Sequence, residues 1–364
     1  MTSVPQRFSR AVFKQPGSQI EIEQLDMKHP GENELLLRVH AAGLNSTDQI
    51  LRNDLIPGLK FPVAVGQNVV GEIVKMGKRS SGMGSERLKE GMIVSAVTFK
   101  GGVGEYAKVH QSCCVELRKG EFSGNGEEAA VWTFDAGRVY GAYDRCVIEY
   151  KHMDEHERRM LRDINERLDF KGDGCIVVYG EGGFARLALD VLRKLQQQHS
   201  GGMSGLLGGG QQHRIVLVAA SERWKAQDYD IDEKNYIVAG RDQLRQELKK
   251  IGGAAFVVCV DQPRDGFEEL LDATRYGASL SILNPTRDAR LEVPLGNVLA
   301  KAIRVYGPPI LTHKTLKEAV QLCQKHNIRA PIKRYAFDQN QLNEAWQKLE
   351  ERSQFEAPII VMQQ

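Results

Sequence analysis

Three glycines after an apolar run form the first pattern in the chain that could do chemistry. Gly180, Gly182 and Ala185 fit the pattern Gly-x-Gly-x-x-Gly/Ala, with Gly183 and Phe184 inside it. Between a strand and a helix, this pattern can hold the pyrophosphate of a dinucleotide, because glycine permits a tight turn and a close backbone approach. The helix start would add N–H groups and a positive dipole end. An ordinary tight turn has the same pattern, so the motif alone leaves both interpretations open.

Polar residues after the next predicted strand would select the cofactor. That strand ends at Ala219, where an enzyme that uses NAD usually carries an acid for the ribose 2′-hydroxyl. Ser221, Arg223 and Lys225 follow instead, and they can bind a 2′-phosphate. The pattern therefore favours NADPH over NADH, and an ordinary basic loop is the alternative. Asn284, at the end of a later predicted strand, completes the predicted cofactor-binding set.

The elements that would position these residues fall into two groups. Residues 11–115 contain short apolar runs separated by turns, which is typical of an antiparallel barrel or sandwich. From residue 175 onward, buried strands alternate with helices, which predicts a doubly wound parallel sheet. The predicted strands are 34–40, 69–75, 91–97, 104–109, 176–178, 214–219, 255–260, 279–283, 303–306 and 358–361, of which the last could return to the first domain. The predicted helices are 127–143, 184–195, 241–251, 266–275, 315–326 and 339–352.

Three further segments are distinctive in composition. Residues 154–168 are densely charged, and the pattern favours a solvated surface helix over a partner-binding one. Its apolar face would be formed by Met160, Leu161, Ile164 and Leu168. The glycine- and serine-rich segments 79–89 and 196–212 predict exposed loops.

Composition excludes several classes of function. The formal net charge is +2 without any long basic run, so nucleic-acid and membrane-surface binding have no compositional support. No apolar stretch approaches the length of a membrane span. The six cysteines include no Cys-x-x-Cys pair, which argues against a zinc finger or a thioredoxin-type site. This usage fits a reducing cytoplasm, and 364 residues are enough for two domains.

Three stretches, taken with the glycine motif, give the chain a family resemblance. They are Val-His-Ala-Ala-Gly-Leu-Asn-Ser-Thr-Asp at 39–48, Phe-Pro-Val-Ala-Val-Gly-Gln-Asn-Val-Val-Gly at 61–71 and Gly-Val-Gly-Glu-Tyr at 102–106. From about residue 9 onward, the chain resembles the medium-chain dehydrogenase/reductase superfamily. The resemblance implies a GroES-like β-rich barrel domain, formed by 1–131 and 311–364, and a Rossmann domain at 132–310. It also implies a homodimer.

The chain departs from the zinc-dependent alcohol dehydrogenases at the metal ligands. Those enzymes place a cysteine where this chain has Asn45, and a histidine–glutamate pair where it has Gln67 and Asn68. Amides are poor zinc ligands, and the four-cysteine structural zinc lobe is also missing. The chain therefore resembles the zinc-free quinone oxidoreductase and enoyl reductase branch, and we expect no metal site. In that branch, Asn and Asp commonly occupy the positions of Asn45 and Asp48.

Three side chains would serve the reaction that this branch implies. Asn45 and Gln67 can donate amide hydrogens to the oxygen of a reacting carbonyl group. Asp48 would orient its neighbours, because its ordinary pKa of about 4 makes it a poor proton donor at neutral pH. A cap or loop role is the alternative for Asn45 and Asp48, since Asn-Ser-Thr-Asp is a good helix-capping sequence.

The sequence thus predicts a zinc-independent oxidoreductase that uses NADPH to reduce small-molecule quinones or α,β-unsaturated carbonyls. The alternative is an NADPH-binding protein of the same fold with little or no turnover. Many members of the branch have a tyrosine proton donor near position 56, where this chain has Leu55-Ile56. The family's threonine beside the nicotinamide is replaced near Arg138-Val139. The missing tyrosine, the Gln67-Asn68 substitution and the charged segment 145–170 favour the alternative, and the glycine turn supports both hypotheses.

Overall fold

The computed structural model describes most of the chain, in nine segments. These are 4–78, 88–118, 126–170, 174–198, 213–238, 244–261, 267–284, 295–307 and 311–362. The predicted loops at 79–89 and 196–212 lie largely outside the described residues. The chain divides into two compact units, one formed by Met1–Gly137 with Leu311–Gln364 and the other by Arg138–Ile310.

Strands in the described part of the chain are short, and most have five residues or more. They are β1 (Arg7–Phe13), β2 (Ile20–Asp26), β3 (Glu34–Gly43), β4 (Val63–Ala64), β5 (Asn68–Met76), β6 (Ile93–Val97), β7 (Tyr106–His110), β8 (Cys114–Glu116), β9 (Cys175–Tyr179), β10 (Arg214–Ala219), β11 (Tyr236–Val238), β12 (Ala254–Cys259), β13 (Thr274–Ile282), β14 (Arg304–Tyr306), β15 (Ile332–Ala336) and β16 (Ala357–Val361).

Helices connect these strands. They are α1 (Ser46–Arg52), α2 (Glu128–Val131), α3 (Gly137–His152), α4 (Glu155–Arg167), α5 (Gly182–Gln198), α6 (Leu244–Lys250), α7 (Phe267–Asp272), α8 (Leu295–Ala300), α9 (His313–Lys325) and α10 (Gln339–Glu351). A π-helical turn at Trp132–Ala136 joins α2 to α3, and single 3₁₀ turns occupy Gln111–Cys113, Ala226–Tyr229 and Glu233–Asn235. In the described residues, no helix has both the length and the apolar character that crossing a bilayer requires.

The first unit contains two sheets around an apolar core. One has seven strands in the order β15-β16-β3-β5-β6-β8, with β7 also paired to β3, and the other has the order β2-β1-β4. Close contact between β3 and β5 requires glycine at Gly71, because a Cβ there would lie 2.4 Å from the carbonyl oxygen of Arg38. The β3–β5 register shifts between Val39 and Ala41 at this point. Gly71 therefore combines a close backbone approach with an irregularity in the strand register.

The end of the chain completes the first unit. As the sequence predicts, the last strand β16 returns and pairs with β3 in antiparallel fashion. Gln339, at the start of α10, donates to the carbonyl oxygen of Ile20 at 2.6 Å and accepts from the N–H of Ile22 at 3.2 Å. The parallel partner of β16 is β15, whose exposed and charged residues gave no strand signal in the sequence.

The second unit contains one parallel sheet of six strands. Its order is β11-β10-β9-β12-β13-β14, so the strands numbered within this unit run 3-2-1-4-5-6. All five residues of β9 and all six of β12 are buried, as expected for strands covered on both faces. The predicted doubly wound sheet is confirmed, with this strand order being the Rossmann arrangement. Cys175 in β9 and Cys259 in β12 are fully buried and belong to the core of this unit.

Two boundaries in the second unit differ from the prediction. Helix α5 begins at Gly182 and not at Phe184, so two of the motif glycines lie in its first turn. The helix predicted at 266–275 is wrong at its end, because α7 stops at Asp272 and β13 begins at Thr274. Between its first and later pairs with β12, β13 contains additional residues that form a bulge, with Gly277 at φ +76°. A bulge hides the period of two that would have identified the strand.

The charged helix α4 is present, but its buried face differs from the prediction. Met160 and Leu168 are 46% and 42% exposed, whereas Asn165 is 4% exposed. Asn165 accepts from the N–H of Tyr276 at 2.8 Å and donates to the carbonyl oxygen of Tyr276 at 3.3 Å. These two bonds join α4 to β13 through a polar residue, which a search for apolar periodicity cannot find.

Candidate functional site

The glycine turn leaves the first strand of the parallel sheet in a conformation that glycine tolerates. Gly180 has φ +140° and Gly182 has φ +72°. A Cβ at Gly180 would lie 2.7 Å from Cγ2 of Val260 and 2.9 Å from the backbone nitrogen of Asp261. Ala185 is fully buried, which allows the close approach of helix and strand. The turn therefore has the backbone geometry that the motif predicts.

Predicted cofactor-binding residues of three strands lie at the same edge of the sheet. The N–H of Gly180 donates to the carbonyl oxygen of Val218 at 3.0 Å, so the end of β10 lies beside the turn. Ser221, Arg223 and Lys225 follow β10 and are all exposed. In a parallel sheet of this strand order, ligands bind outside the carboxyl ends of the strands, where the order reverses. These side chains are thus at the edge where a nucleotide would bind.

Asn284 lies at the same edge, after β13. The N–H of Leu283 donates to the carbonyl oxygen of Cys259, at the end of β12, at 2.8 Å. The Oδ1 atom of Asn284 is buried and has no hydrogen-bond partner among the described residues. An unsatisfied buried acceptor costs free energy unless a ligand or water supplies a donor. Asn284 could therefore accept a hydrogen bond from a bound cofactor.

Two residues that sequence reasoning did not identify touch the glycine motif. The buried hydroxyl of Tyr229 accepts a hydrogen bond from the N–H of Gly182 at 3.1 Å, and burial raises the pKa of Tyr229. The guanidinium of Arg138, which is 3% exposed, lies 5.8 Å from the centre of the Phe184 ring. Tyr229 lies in a 3₁₀ turn about 50 residues after the glycine motif, so the sequence around the motif does not indicate this contact.

Two of the predicted reactive side chains of the first unit, Asn45 and Asp48, lie in one buried cluster with Asn68. Asn45 is the N-cap of α1, and its Oδ1 accepts from the N–H of Thr47 at 2.8 Å. Asp48 accepts from the N–H of Asn45 at 3.0 Å and from the N–H of Gly66 at 2.8 Å. The side chain of Asn45 also donates to Oδ1 of Asn68 at 2.8 Å. Asn45 and Asp48 thus perform the capping role that was their alternative interpretation.

The pKa of Asp48 differs from the value near 4 that the sequence led us to expect. Burial raises the pKa of its carboxyl group to about 7, although its hydrogen bonds from the N–H groups of Asn45 and Gly66 act in the opposite direction. The assumption of an ordinary pKa near 4 was therefore wrong, because the side chain is fully buried. The predicted orienting role remains compatible with its two backbone contacts.

Gln67 differs from its neighbours in the surroundings of its side-chain amide. It is 1% exposed, and neither Nε2 nor Oε1 has a hydrogen-bond partner among the described residues. Its backbone is fixed, because its carbonyl oxygen accepts from the N–H of Thr98 at 2.7 Å. A ligand that entered this cluster would find in Gln67 an amide with both a donor and an acceptor available.

Other residue types occupy the positions where related enzymes carry zinc ligands or a tyrosine. In the part of the chain that the structure describes, no three His, Cys, Asp or Glu side chains gather in a way that could hold a metal ion. Leu55 and Ile56 expose 45% and 41% of their surface, near the position where a tyrosine was expected in the branch. Neither can donate a proton.

Comparisons with known proteins agree with the fold. The profile described as the alcohol dehydrogenase GroES-like domain matches residues 31–148. The alcohol dehydrogenase patD of Penicillium expansum is 21% identical, covering 99% of this chain and 99% of its own. An acryloyl-coenzyme A reductase of Sulfurisphaera tokodaii is 22% identical over 87% of this chain and 89% of its own.

A solved structure shares both units. The crystal structure of Escherichia coli quinone oxidoreductase complexed with NADPH has a TM-score of 0.69 and 19% identity, covering 97% of this chain and 99% of that one. The similarity extends over both the GroES-like part and the six-stranded parallel sheet. The GroES-like domain match and the shared fold support the assignment of the chain to the medium-chain dehydrogenase/reductase superfamily.

Proposed function

We propose that this protein is a zinc-independent reductase that uses NADPH to reduce small-molecule quinones or α,β-unsaturated carbonyls. One observation carries the proposal. The first strand of a 3-2-1-4-5-6 sheet ends in a glycine turn with φ +140° and +72°, and the next strand is followed by exposed Ser221, Arg223 and Lys225. A turn of this kind receives a pyrophosphate, and basic side chains at that position receive a 2′-phosphate.

The residues at this edge fit a dinucleotide. The N–H of Gly182 is engaged by Tyr229, but the next N–H groups of the first turn of α5 have no acceptor within the helix. Gly183 and Phe184 would therefore hold the pyrophosphate, Arg223 and Lys225 the 2′-phosphate, and Asn284 a polar group of the nicotinamide end. A bound reduced nicotinamide would supply a hydride.

The amide cluster of the first unit supports reduction of a conjugated carbonyl. When a hydride adds to such a substrate, negative charge develops on oxygen and is stabilised by a buried donor. Gln67 is the side chain best suited to this task, because its amide has no partner among the described residues. Asn45 is less suited, since its Nδ2 already donates to Asn68. Amides at 45, 67 and 68 in place of thiolate, imidazole and carboxylate support a reaction without zinc.

A second candidate function is cofactor binding with little or no turnover. It is favoured by the capping contacts that occupy Asn45 and Asp48, and by the absence of a phenol at Leu55 and Ile56. In such a protein, the ligand site would be the edge of the parallel sheet that carries the glycine turn, Ser221, Arg223, Lys225 and Asn284, which we call the nucleotide edge. Both candidate functions use NADPH, and they differ only in whether its hydride is transferred to a substrate.

One two-step experiment tests the proposal. Fluorescence titration with NADPH and NADH should show clearly tighter binding of NADPH, and equal affinities would contradict the cofactor assignment. NADPH oxidation is then followed with a panel of quinones, enals and enones, with protein purified without chelator and assayed for zinc. Turnover in metal-free protein supports the reductase. Tight NADPH binding without turnover on any substrate would support the second candidate.

A further inference from the structure

A cavity in the second unit lies beneath the charged helix α4 and is lined by four arginines. Arg158 and Arg162 come from α4, Arg275 from β13 and Arg304 from β14. The other lining residues include Cys146 and Asn165, and none of the described lining residues is Asp or Glu. Four arginines on three elements thus line one cavity, and a concentration of positive charge of this kind attracts anions.

The cavity is held in shape by packing and by hydrogen bonds. Asn165 joins α4 to the backbone of Tyr276 through its donor and its acceptor. Gly277 allows the helix to approach, since a Cβ there would lie 2.9 Å from Cδ2 of Leu161. Arg275 is 5% exposed and donates to the carbonyl oxygen of Gly252 at 2.9 Å. Hydrogen bonds and close packing therefore fix the residues that line this part of the cavity.

This cavity lies at the other end of the sheet from the glycine turn. Ser279, one of its lining residues, aligns through Phe256 with Ile176 at the start of β9. The glycine turn follows Tyr179, three residues further along β9, and a strand rises about 3.3 Å per residue. The two sites are thus about 10 Å or more apart along the strands, and the cavity is separate from the nucleotide edge.

The neighbouring titratable groups compensate part of the positive charge. Burial raises the pKa of the Cys146 thiol to about 12, against a hydrogen bond from Ser279 that lowers it, so the thiol stays neutral. Glu149 is an acid that pairs with a lining arginine, and its carboxylate also accepts from the hydroxyl of Tyr306 at 2.7 Å. The guanidinium of Arg145 and that of Arg304 share Glu149, at 3.6 and 3.7 Å.

We infer that this cavity binds a tetrahedral oxyanion, namely a phosphoryl group. Its volume of about 60 Å³ is several times the space that one water needs, about 10–15 Å³, and suits a group of five heavy atoms. Guanidinium groups bind phosphate oxygens through paired, charge-assisted hydrogen bonds, and approach from three elements suits a tetrahedral ligand better than a planar carboxylate. The free ion and the phosphoryl group of a larger metabolite share this chemistry.

The test is calorimetric titration of the full chain with inorganic phosphate at constant ionic strength, with chloride as the reference. Arg162→Gln, on the exposed side of the cavity, and Arg158→Gln should each weaken binding about tenfold, since each removes a charge-assisted bond. Arg159→Gln is the matched control, because Arg159 lies on the same helix, pairs with Glu155 at 3.3 Å and does not line the cavity. It should bind as the parent does.

Three outcomes would overturn the inference. They are heat no larger than with chloride, equal weakening by Arg159→Gln, and competition between phosphate and NADPH for one site. Glycerol 3-phosphate in a parallel titration separates the sources of the ligand. Tighter binding of the ester identifies the phosphoryl group of a metabolite, and tighter binding of phosphate identifies the free ion.

Discussion

The amide cluster of the first unit and the nucleotide edge of the second unit differ in how far their polar residues are exposed to solvent. In the cluster, Asn45 and Asp48 bind N–H groups of their own turn, and Asp48 is fully buried. At the edge, Ser221, Arg223 and Lys225 are exposed, and Ser221 accepts from the N–H of Arg223 at 3.2 Å. The two groups thus differ in exposure, since both include a side chain that binds an N–H group of its own turn. Gln67 differs from the rest of the cluster, because its side-chain amide has no hydrogen-bond partner among the described residues.

The largest effect that tests this comparison is expected at the two glycines of the turn. Gly180→Ala should destabilise the free protein strongly, by up to about 6 kcal/mol, because the new Cβ is both overpacked and strained. Gly182→Ala should cost only about 1–2 kcal/mol, the strain of a positive φ, and should also weaken NADPH binding. Urea unfolding without cofactor measures both. Equal stability losses would show that the two glycines do not differ in role.

The next effect concerns the buried carboxyl group of Asp48 and its pH dependence. Its pKa of about 7 in the folded state exceeds the ordinary value near 4, so the folded protein binds the proton more tightly than the unfolded chain. Its contribution to stability is therefore fully present below about pH 4 and is lost as the pH rises through 7. Between pH 5 and 8, the free energy of unfolding of the parent should fall by about 3 kcal/mol relative to Asp48→Asn.

Urea unfolding at several pH values compares the two proteins directly. The variant has no titrating group at this position, and its amide must place an N–H group against one of two backbone donors, which costs stability by an amount that does not change with pH. The prediction concerns how the difference in free energy of unfolding between parent and variant changes with pH, and not how large this difference is at one pH. Parallel profiles for parent and variant would show that Asp48 has an ordinary pKa and that its two N–H contacts outweigh burial.

Much of the second unit could be predicted from sequence because it follows simple periods. Buried parallel strands are continuous apolar runs, as in β9 and β12, and the glycine turn has a fixed spacing. The bulged start of β13 broke the period and was assigned to a helix. The short edge strand β11 and the charged strand β15 carry too little apolar signal to be identified at all.

The roles of the candidate site residues stay a prediction, and the structure adds the contacts that the sequence could not show. The resemblance pointed to Asn45, Asp48 and Gln67, and the structure links Asn45 and Asp48 directly. The sequence could not show that Asn68 accepts from Asn45, 23 positions away, or that the side chain of Gln67 has no partner among the described residues. The contact of Tyr229 with Gly182 is equally non-local.

A smaller effect is expected from the exposed basic residues at the nucleotide edge. Arg223→Ala should weaken NADPH binding by about 1–3 kcal/mol and leave NADH binding unchanged, because a charge-assisted bond to the 2′-phosphate is lost. Lys234→Ala is the matched control, since it removes an exposed positive charge from the same connection between β10 and β11. Fluorescence titration measures the affinities. If both variants weaken NADPH equally, general electrostatic attraction explains the preference.

The smallest effect on stability is expected at Gln67, and it bears most directly on the chemistry. Gln67→Met keeps the length of the side chain and removes an amide that has no partner among the described residues, so the free energy of unfolding should stay within about 1 kcal/mol of the parent. Asn45→Ala, which removes a helix cap from the same cluster, should instead cost about 1–2 kcal/mol. If Gln67 donates to the reacting oxygen, Gln67→Met should lower kcat about 100-fold or more while NADPH binding is retained. A variant that loses stability as Asn45→Ala does, and keeps its turnover, would assign Gln67 to the fold rather than to the reaction.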